Sequence, residues 1–299
     1  MSILFRTFAI EKETLVTYKQ TERMIKEFIE YITTIKGMST NTALAYENDL
    51  RDFVRYIKTV DVNKRWSTIT LQDIDGYVKA QVERGLKPAT TNRRIAAIRS
   101  VYNYMKRQGL IDINPARYES CRKVETTVPN TIPADELYKA YQGSNGVIHI
   151  MIGLLMYTGI RIQEMLDITR QDIDTTTCRI RIHGKGMKQR IVITSRENMN
   201  DIQKYMMTRR MNERVFKEWG QREVRTSLFY MLKDITAAPQ KSPHAIRHTF
   251  ATEIAKQGQN VSTLSKMLGH QSIRTTQKYI DFANIDTTSA FTTYQNAMR

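Results

Sequence analysis

Four short segments concentrate the residues able to do chemistry: TGIRIQE around Arg161, HGKGMKQR around Lys185, SPHAIRHTFAT with His244 and Arg247, and LGHQSIRTTQKYI from His270 to Tyr279. Each has an ordinary explanation when taken alone. Arg161 follows a Thr-Gly pair that can end one helix and begin another, with Glu164 three residues on as its ion-pair partner. Lys185 stands between two glycines, where a hairpin turn tolerates charge, and the segment lacks the GxxxxGK[ST] spacing of a phosphate loop. His244 and His248 are four apart, as on a zinc helix, but no HExxH glutamate or third ligand accompanies them, so no metal is expected. Tyr279 is one of 15 tyrosines and by itself reads as a packing residue.

Together the segments fit one reaction, attack on a phosphodiester. The nonbridging oxygens must be neutralised as negative charge builds, and guanidinium groups such as Arg161 and Arg247 do this in bidentate fashion. A phenol can serve as nucleophile if the site helps to remove a proton whose free pKa is about 10. His244, His270 and Lys185 supply candidate acids and bases. No acidic cluster suited to a pair of magnesium ions accompanies these motifs, which argues against a two-metal nuclease.

In this order the segments resemble the tyrosine recombinase (phage-integrase-like) family, and most closely its compact Xer-type members. The family pattern is an arginine in TG-x-R-x-x-E, a hairpin lysine, HxxR, LGH and a tyrosine nine residues after that last histidine. Arg161, Lys185, His244, Arg247, His270 and Tyr279 occupy those positions, with the nine-residue spacing kept. Gln163 stands where Ser or Gly is usual, and Ala245-Ile246 replaces Asp-Leu inside HxxR; neither departure falls on a catalytic position. The resemblance extends to KGMSTNTALAYENDLRDF and to Asn114-Pro115, and so spans about residues 20–285. It implies that Tyr279 forms a covalent 3′-phosphotyrosyl link, that Arg161, Arg247 and His270 hold the phosphate, that Lys185 protonates the leaving 5′-oxygen, and that His244 acts as acid and base towards the tyrosine. It implies no cofactor, metal or ATP. The implied partner is double-stranded DNA carrying paired inverted half-sites, on which homo- or hetero-tetramers exchange strands through a Holliday junction, with a monomer in solution. A type IB topoisomerase shares the phosphotyrosine logic, and a silent DNA-binding module would share the fold; both stand as rival readings.

The elements that must position these residues follow from periodicity. Met24, Ile25, Phe28, Ile29 and Ile32 form one helical stripe within Thr17–Ile35. After Gly37 a second helix, capped at Ser39 or Thr40, carries Leu44, Leu50, Phe53, Val54 and Ile57. A third runs from near Thr70 to Gly85 with Leu71, Ile74, Tyr77 and Val78 inward. A fourth opens at Pro88 with Ile95, Ile98, Val101, Tyr102 and Met105. Arg93, Arg94 and Arg99 share that helix and are read as DNA contacts, as are Lys188 and Arg190 beside the hairpin lysine. In CRIRIHGKGMKQRIVIT, Cys178, Ile180 and Ile182 alternate with Arg179, Arg181 and His183, and the return strand carries Ile191 and Ile193.

The expected organisation is an extension over 1–16, a helical core-binding (SAM-like) domain over 17–112, a proline-bearing linker over 113–133, a catalytic domain over 134–285 and a tail helix over 286–299. The fold class is mainly α with a small β-sheet, a four-helix domain followed by an α+β catalytic domain, which the resemblance implies close as a C-shaped clamp on the duplex. Phe291, Tyr294 and Met298 space the tail as a helix, which the resemblance would dock on a neighbouring protomer.

Composition agrees with an anionic partner. The 299 residues carry 46 Lys+Arg against 30 Asp+Glu, a formal charge of +16. Arg84–Ile111 and Thr175–Arg196 contain no acid, and Lys241–Lys278 contains only Glu253. Two isolated cysteines, Cys121 and Cys178, exclude a disulfide scaffold, and no apolar run reaches the roughly 18 residues of a membrane span, so a protein of a reducing compartment, the cytoplasm, is expected; the resemblance implies a bacterial, archaeal or phage source. DNA affinity should therefore fall steeply with salt, the logarithm of the binding constant dropping linearly with the logarithm of salt concentration. Fluorescence anisotropy across a salt series measures that slope, and a flat line contradicts the reading.

Overall fold

The computed structural model describes residues 20–117, 121–124, 129–184, 189–270 and 272–283, with Gln295 and Met298. The expected extension over 1–16, the hairpin residues Lys185 and Lys188, and nearly all of the tail over 286–299 lie outside them. The chain divides into two compact units, Met1–Glu125 and Thr126–Arg299. No described helix is long and apolar enough to cross a membrane.

Among the described residues the first unit holds four α-helices: α1 over 20–34, α2 (Thr40–Val60), α3 (Leu71–Glu83) and α4 (Pro88–Arg107). Their ends are set locally. Ser39 caps α2 by accepting from the Thr42 amide, Thr70 and Asp73 form a reciprocal capping box on α3, and Pro88 opens α4. The apolar stripes meet in one core of Ile25, Phe28, Ile32, Leu50, Phe53, Ile57, Ile74, Tyr77, Ile98, Val101, Tyr102 and Met105. Leu44 and Leu71, expected inward, are exposed, because each lies in the first turns of its helix. Trp66 packs edge-on against Tyr102, whose hydroxyl donates to the Trp66 carbonyl at 3.1 Å. Asn114 caps the chain back onto α4, donating to the Arg99 carbonyl at 3.1 Å, and Ala116 is wholly buried. The chain expected to begin a linker at 113 is therefore still part of this unit.

The basic face of α4 is not free in the way its composition suggests. Arg94 donates to Asp52, to the Gln81 side chain at 2.5 Å and to the Tyr77 hydroxyl at 3.2 Å, and its side chain is only 15% exposed. Arg93, at 44% exposure, donates to the buried Asp49 at 2.6 Å. Arg99 donates through Nε to the Ala116 carbonyl at 3.1 Å. Arg94, expected on DNA, is thus committed to carboxylates of α2, some 42 residues away in sequence. A composition argument cannot see partners so distant.

The second unit contains α5 (Ala134–Gly143), α6 (Gly146–Thr158), α7 (Ile162–Leu166), β1 (Ile173–Asp174), β2 (Arg179–His183), β3 (Gln189–Ile193), α8 (Arg196–Met206), α9 (Gln221–Leu232), α10 (Pro243–Lys256), α11 (Val261–Leu268) and α12 (Arg274–Phe282). The strands form one antiparallel sheet in the order β1-β2-β3. The apolar helix α6 lies at the centre, buried along most of its length and packed against α5, α8, α9 and α10. The expected inward face of β3 is corrected. Ile191 and Ile193 are 63% and 61% exposed, whereas Val192 is buried. Directly opposed residues of an antiparallel pair share a face. Ile180 pairs with Val192 and Ile182 with Arg190, so the buried isoleucines of β2 carry Val192 and Arg190 inward. RIVIT alternates equally well in either register.

Removing Arg94 takes from Asp52 its nearest cation, leaving Arg84 and Arg55 at 3.4 and 3.6 Å, and from the wholly buried Gln81 its guanidinium partner. With Trp219→Phe in place, Trp66 reports on the first unit alone, since the chain has two tryptophans. R94M should lose about 3 kcal/mol in denaturant titration, because a poorly solvated network loses the cation that joins Asp52, Gln81 and Tyr77. R93M should lose less, about 1 kcal/mol, because Arg93 is half in solvent and the buried Asp49 keeps Arg94 Nε at 3.7 Å. Equal losses contradict this division of roles.

Candidate active site

Arg161 is positioned by a helix break. Gly159 ends α6 in the left-handed conformation at φ 59°, and a Cβ there would stand 2.3 Å from the Phe250 ring, so only glycine fits. Two residues later Arg161 caps α7. Its backbone N–H donates to Glu164 Oε2 and its guanidinium to Oε1, both at 2.8 Å. Glu164 is buried and receives a second guanidinium, that of Arg190, at 3.1 and 2.7 Å. Arg190 also donates to the Met267 carbonyl at 3.0 Å. Arg190, expected on DNA, is therefore an internal tie, placed there by the inward face of β3.

Arg247 lies on α10 and is 2% exposed. It donates to the Gly159 carbonyl at 2.6 Å, to the Leu268 carbonyl at 2.8 Å and to His270 Nε2 at 3.0 Å. His270 follows Gly269, which ends α11 at φ 64°. Since Arg247 can only donate, Nε2 accepts, and the ring proton sits on Nδ1, 2.7 Å from Thr276 Oγ1. Arg161, Glu164, His183, Arg190, Gly269 and His270 line a cleft of about 970 Å³. His183, at the inner end of the hairpin that carries Lys185, is held to the buried Asp172 at 2.8 Å.

Tyr279, on α12, is 2% exposed. Its ring lies parallel to His270 at 6.5 Å, and Lys278 Nζ stands 5.0 Å from its centroid. Its hydroxyl meets His248 Nδ1 at 2.6 Å. His244, expected as the acid and base for the tyrosine, is one turn away on α10 and touches His248 edge-on, centroids 4.4 Å apart. His248 was read from sequence only as half of an unsupported zinc spacing. The signal that could have flagged it is that residues 244 and 248 share one helix face.

The electrostatics have one sign. Burial lowers the pKa of His270 to about 4, helped by Arg247 and Arg161. Burial lowers His248 to about 3 and Arg247 to about 10, in each case with neighbouring positive groups adding to the effect. His244 and Lys278 are lowered by the same causes. Tyr279 is raised, burial outweighing the opposite pull of Arg247 and Arg161. The site holds an excess of cations in a poorly solvated place, which is the condition for tight capture of an anion.

Residues 131–284 match the phage integrase family, and residues 25–109 match the phage integrase N-terminal SAM-like domain. The chain belongs to the phage integrase family. Among its relatives, the tyrosine recombinase XerC of Thermodesulfovibrio yellowstonii is 29% identical over 280 residues, covering 87% of this chain and 91% of that protein. The tyrosine recombinase XerD of Oceanobacillus iheyensis is 28% identical over 276 residues, covering 86% and 93%. In fold the chain is similar to the Tn1549 transposon integrase in complex with a circular intermediate DNA, with a TM-score of 0.70, 19% identity and coverage of 91% and 99%. It is also similar to the XerH site-specific recombinase bound to a palindromic difH substrate, with a TM-score of 0.69, 15% identity and coverage of 91% and 95%.

Glu164 should reveal itself by pH. Burial pushes its carboxyl up, but hydrogen bonds from Arg190 and from the Arg161 backbone prevail and hold it below the ordinary carboxylate range. A carboxyl so lowered adds stability above its unfolded pKa, and that contribution is lost as pH falls through the lower folded value. E164Q should therefore be destabilised by about 3 kcal/mol at pH 7. The gap should begin to close below about pH 4. Denaturant titrations across that range check it, and a pH-independent gap contradicts it.

Proposed function

We propose that this protein is a site-specific DNA recombinase that breaks and rejoins strands through a covalent link between Tyr279 and a backbone phosphate. The observation that carries the reading is the surplus of positive charge beside the tyrosine, from the buried Arg247, the partly buried Lys278 and the half-exposed Arg161, with the neutral His270 among them and Glu164 already shared between two arginines. A phosphodiester supplies the missing negative charge. Membership in the family and the names of the relatives support the same activity.

Chemically, the phenolic oxygen of Tyr279 attacks phosphorus and the bond to the 5′-oxygen breaks. Lys185 gives a proton to the departing oxygen, and His244 takes the phenolic proton. Arg161 and Arg247 neutralise the nonbridging oxygens. His270 joins them once the incoming negative charge favours its protonated form, so that Nε2 donates instead of accepting from Arg247. The 5′-hydroxyl of a second strand then attacks the phosphotyrosine, restoring a phosphodiester and freeing Tyr279. Bond energy is kept in the ester throughout. Four protomers on paired inverted half-sites would carry out two such exchanges, each unit of the chain gripping DNA, in the cytoplasm of a bacterial, archaeal or phage-infected cell.

The test is covalent trapping on a nicked duplex, where the short 5′-ended fragment diffuses away after cleavage. The wild type should yield an SDS-resistant protein–DNA adduct, and Y279F should bind the duplex with similar affinity but yield none. An adduct formed equally well by Y279F sinks the assignment. Relaxation of plasmids by the monomer without half-site preference would favour the topoisomerase reading.

A further inference from the structure

The bond between Tyr279 and His248 has no part in the reaction just described, although it engages the very oxygen that must attack. The hydroxyl and His248 Nδ1 are 2.6 Å apart, and both residues are buried. The His270 ring lies parallel to the phenol with centroids 6.5 Å apart, and Lys278 Nζ stands 5.0 Å from the phenol centroid. Tyr279 is not among the residues lining the cleft that Arg161 and His270 share. The nucleophile thus lies behind the cleft with its hydroxyl occupied.

We propose that His248 is a positioning residue for the nucleophile: in the DNA-free chain it holds the Tyr279 hydroxyl one helical turn along α10 from His244, and the phenol must leave His248 to reach a phosphate. The inference rests on the reading of Tyr279 as nucleophile. The direction of the bond follows from the chemistry of its ends. His248, with a pKa of about 3, faces a phenol raised above its ordinary value, so the proton stays on oxygen and Nδ1 accepts. His248 is therefore a poor base for this tyrosine and a good anchor for it. His244, in edge contact with His248, is the next ring along the same face. The hydroxyl moves from one ring to the other by a small shift of α12 against α10, two helices that pack directly.

The test is chemical access to Tyr279 in the full chain without DNA, read by tetranitromethane nitration and peptide mass spectrometry. In the wild type Tyr279 should be nitrated slowly. H248L, which removes the acceptor, should raise its nitration rate about tenfold, the equivalent of one hydrogen bond. H248N, whose Oδ1 stands near the place of Nδ1, should keep Tyr279 protected. On saturating nicked duplex, H248L should form the covalent adduct faster in a single turnover, because a bond that must break is already gone. Tyr279 as protected in H248L as in the wild type, or adduct formation slowed by H248L, overturns the proposal. If H248L fails to fold, H248N and H248Q decide. Gln places its oxygen near Nε2, so it should expose Tyr279 while Asn protects it, and equal protection overturns the proposal. The nitration arm needs no activity, so failure of the wild type to form any adduct would count against the nucleophile reading alone.

Discussion

The site depends on how a single buried carboxylate is shared. Glu164 takes the Arg161 backbone N–H, the Arg161 guanidinium and the Nη1 and Nη2 groups of Arg190. Through these bonds it ties the start of α7 to β3, and through the Arg190 bond to Met267 it ties both to the end of α11. Three segments remote in sequence are brought to one point. The cost of burying charge is met because every ion involved has a partner and good geometry. The arrangement also explains a glycine. A Cβ at Gly269 would stand 2.6 Å from Arg190 Nη1, so the turn that delivers His270 is shaped around this arginine.

The two units use arginine in contrasting ways. In the first, Arg93 and Arg94 answer acids on α2, and their charge is spent on holding helices together. In the second, cations crowd around one acid and leave a surplus, which burial turns into lowered pKa values at His244, His248, His270, Arg247 and Lys278. A balanced network is complete as it stands. An unbalanced one is preorganised for an anion, and its electrostatic strain is relieved only when that anion arrives.

Much of this was legible in the residues. The stripes through Ile25, Phe28 and Ile32 and through Ile98, Val101 and Met105 define helix faces that bury as expected, because helical periodicity is a local property. Helix ends and faces bring Arg247 to His270, Tyr279 beside the His270 ring, and His244 one turn from the histidine that Tyr279 meets. What was not legible depended on contacts between distant segments. Arg94 and Arg190 looked like surface charge, since nothing near them in sequence names Asp52 or Glu164 as partners. Ile191 and Ile193 looked inward because a strand of alternating residues has two equivalent registers until a neighbour chooses one. His248 looked idle because the phenol it meets is 31 residues away.

Arg247 carries a consequence for how such chains are read. Its guanidinium braces the ends of two helices: it donates to the carbonyls of Gly159 and Leu268 in the DNA-free protein, deep in the second unit. The side chain that would neutralise a phosphate is therefore also a structural strut. Replacing it would cost the fold two buried carbonyl partners whether or not strand exchange were needed. Its presence alone is thus a record of architecture as much as of chemistry.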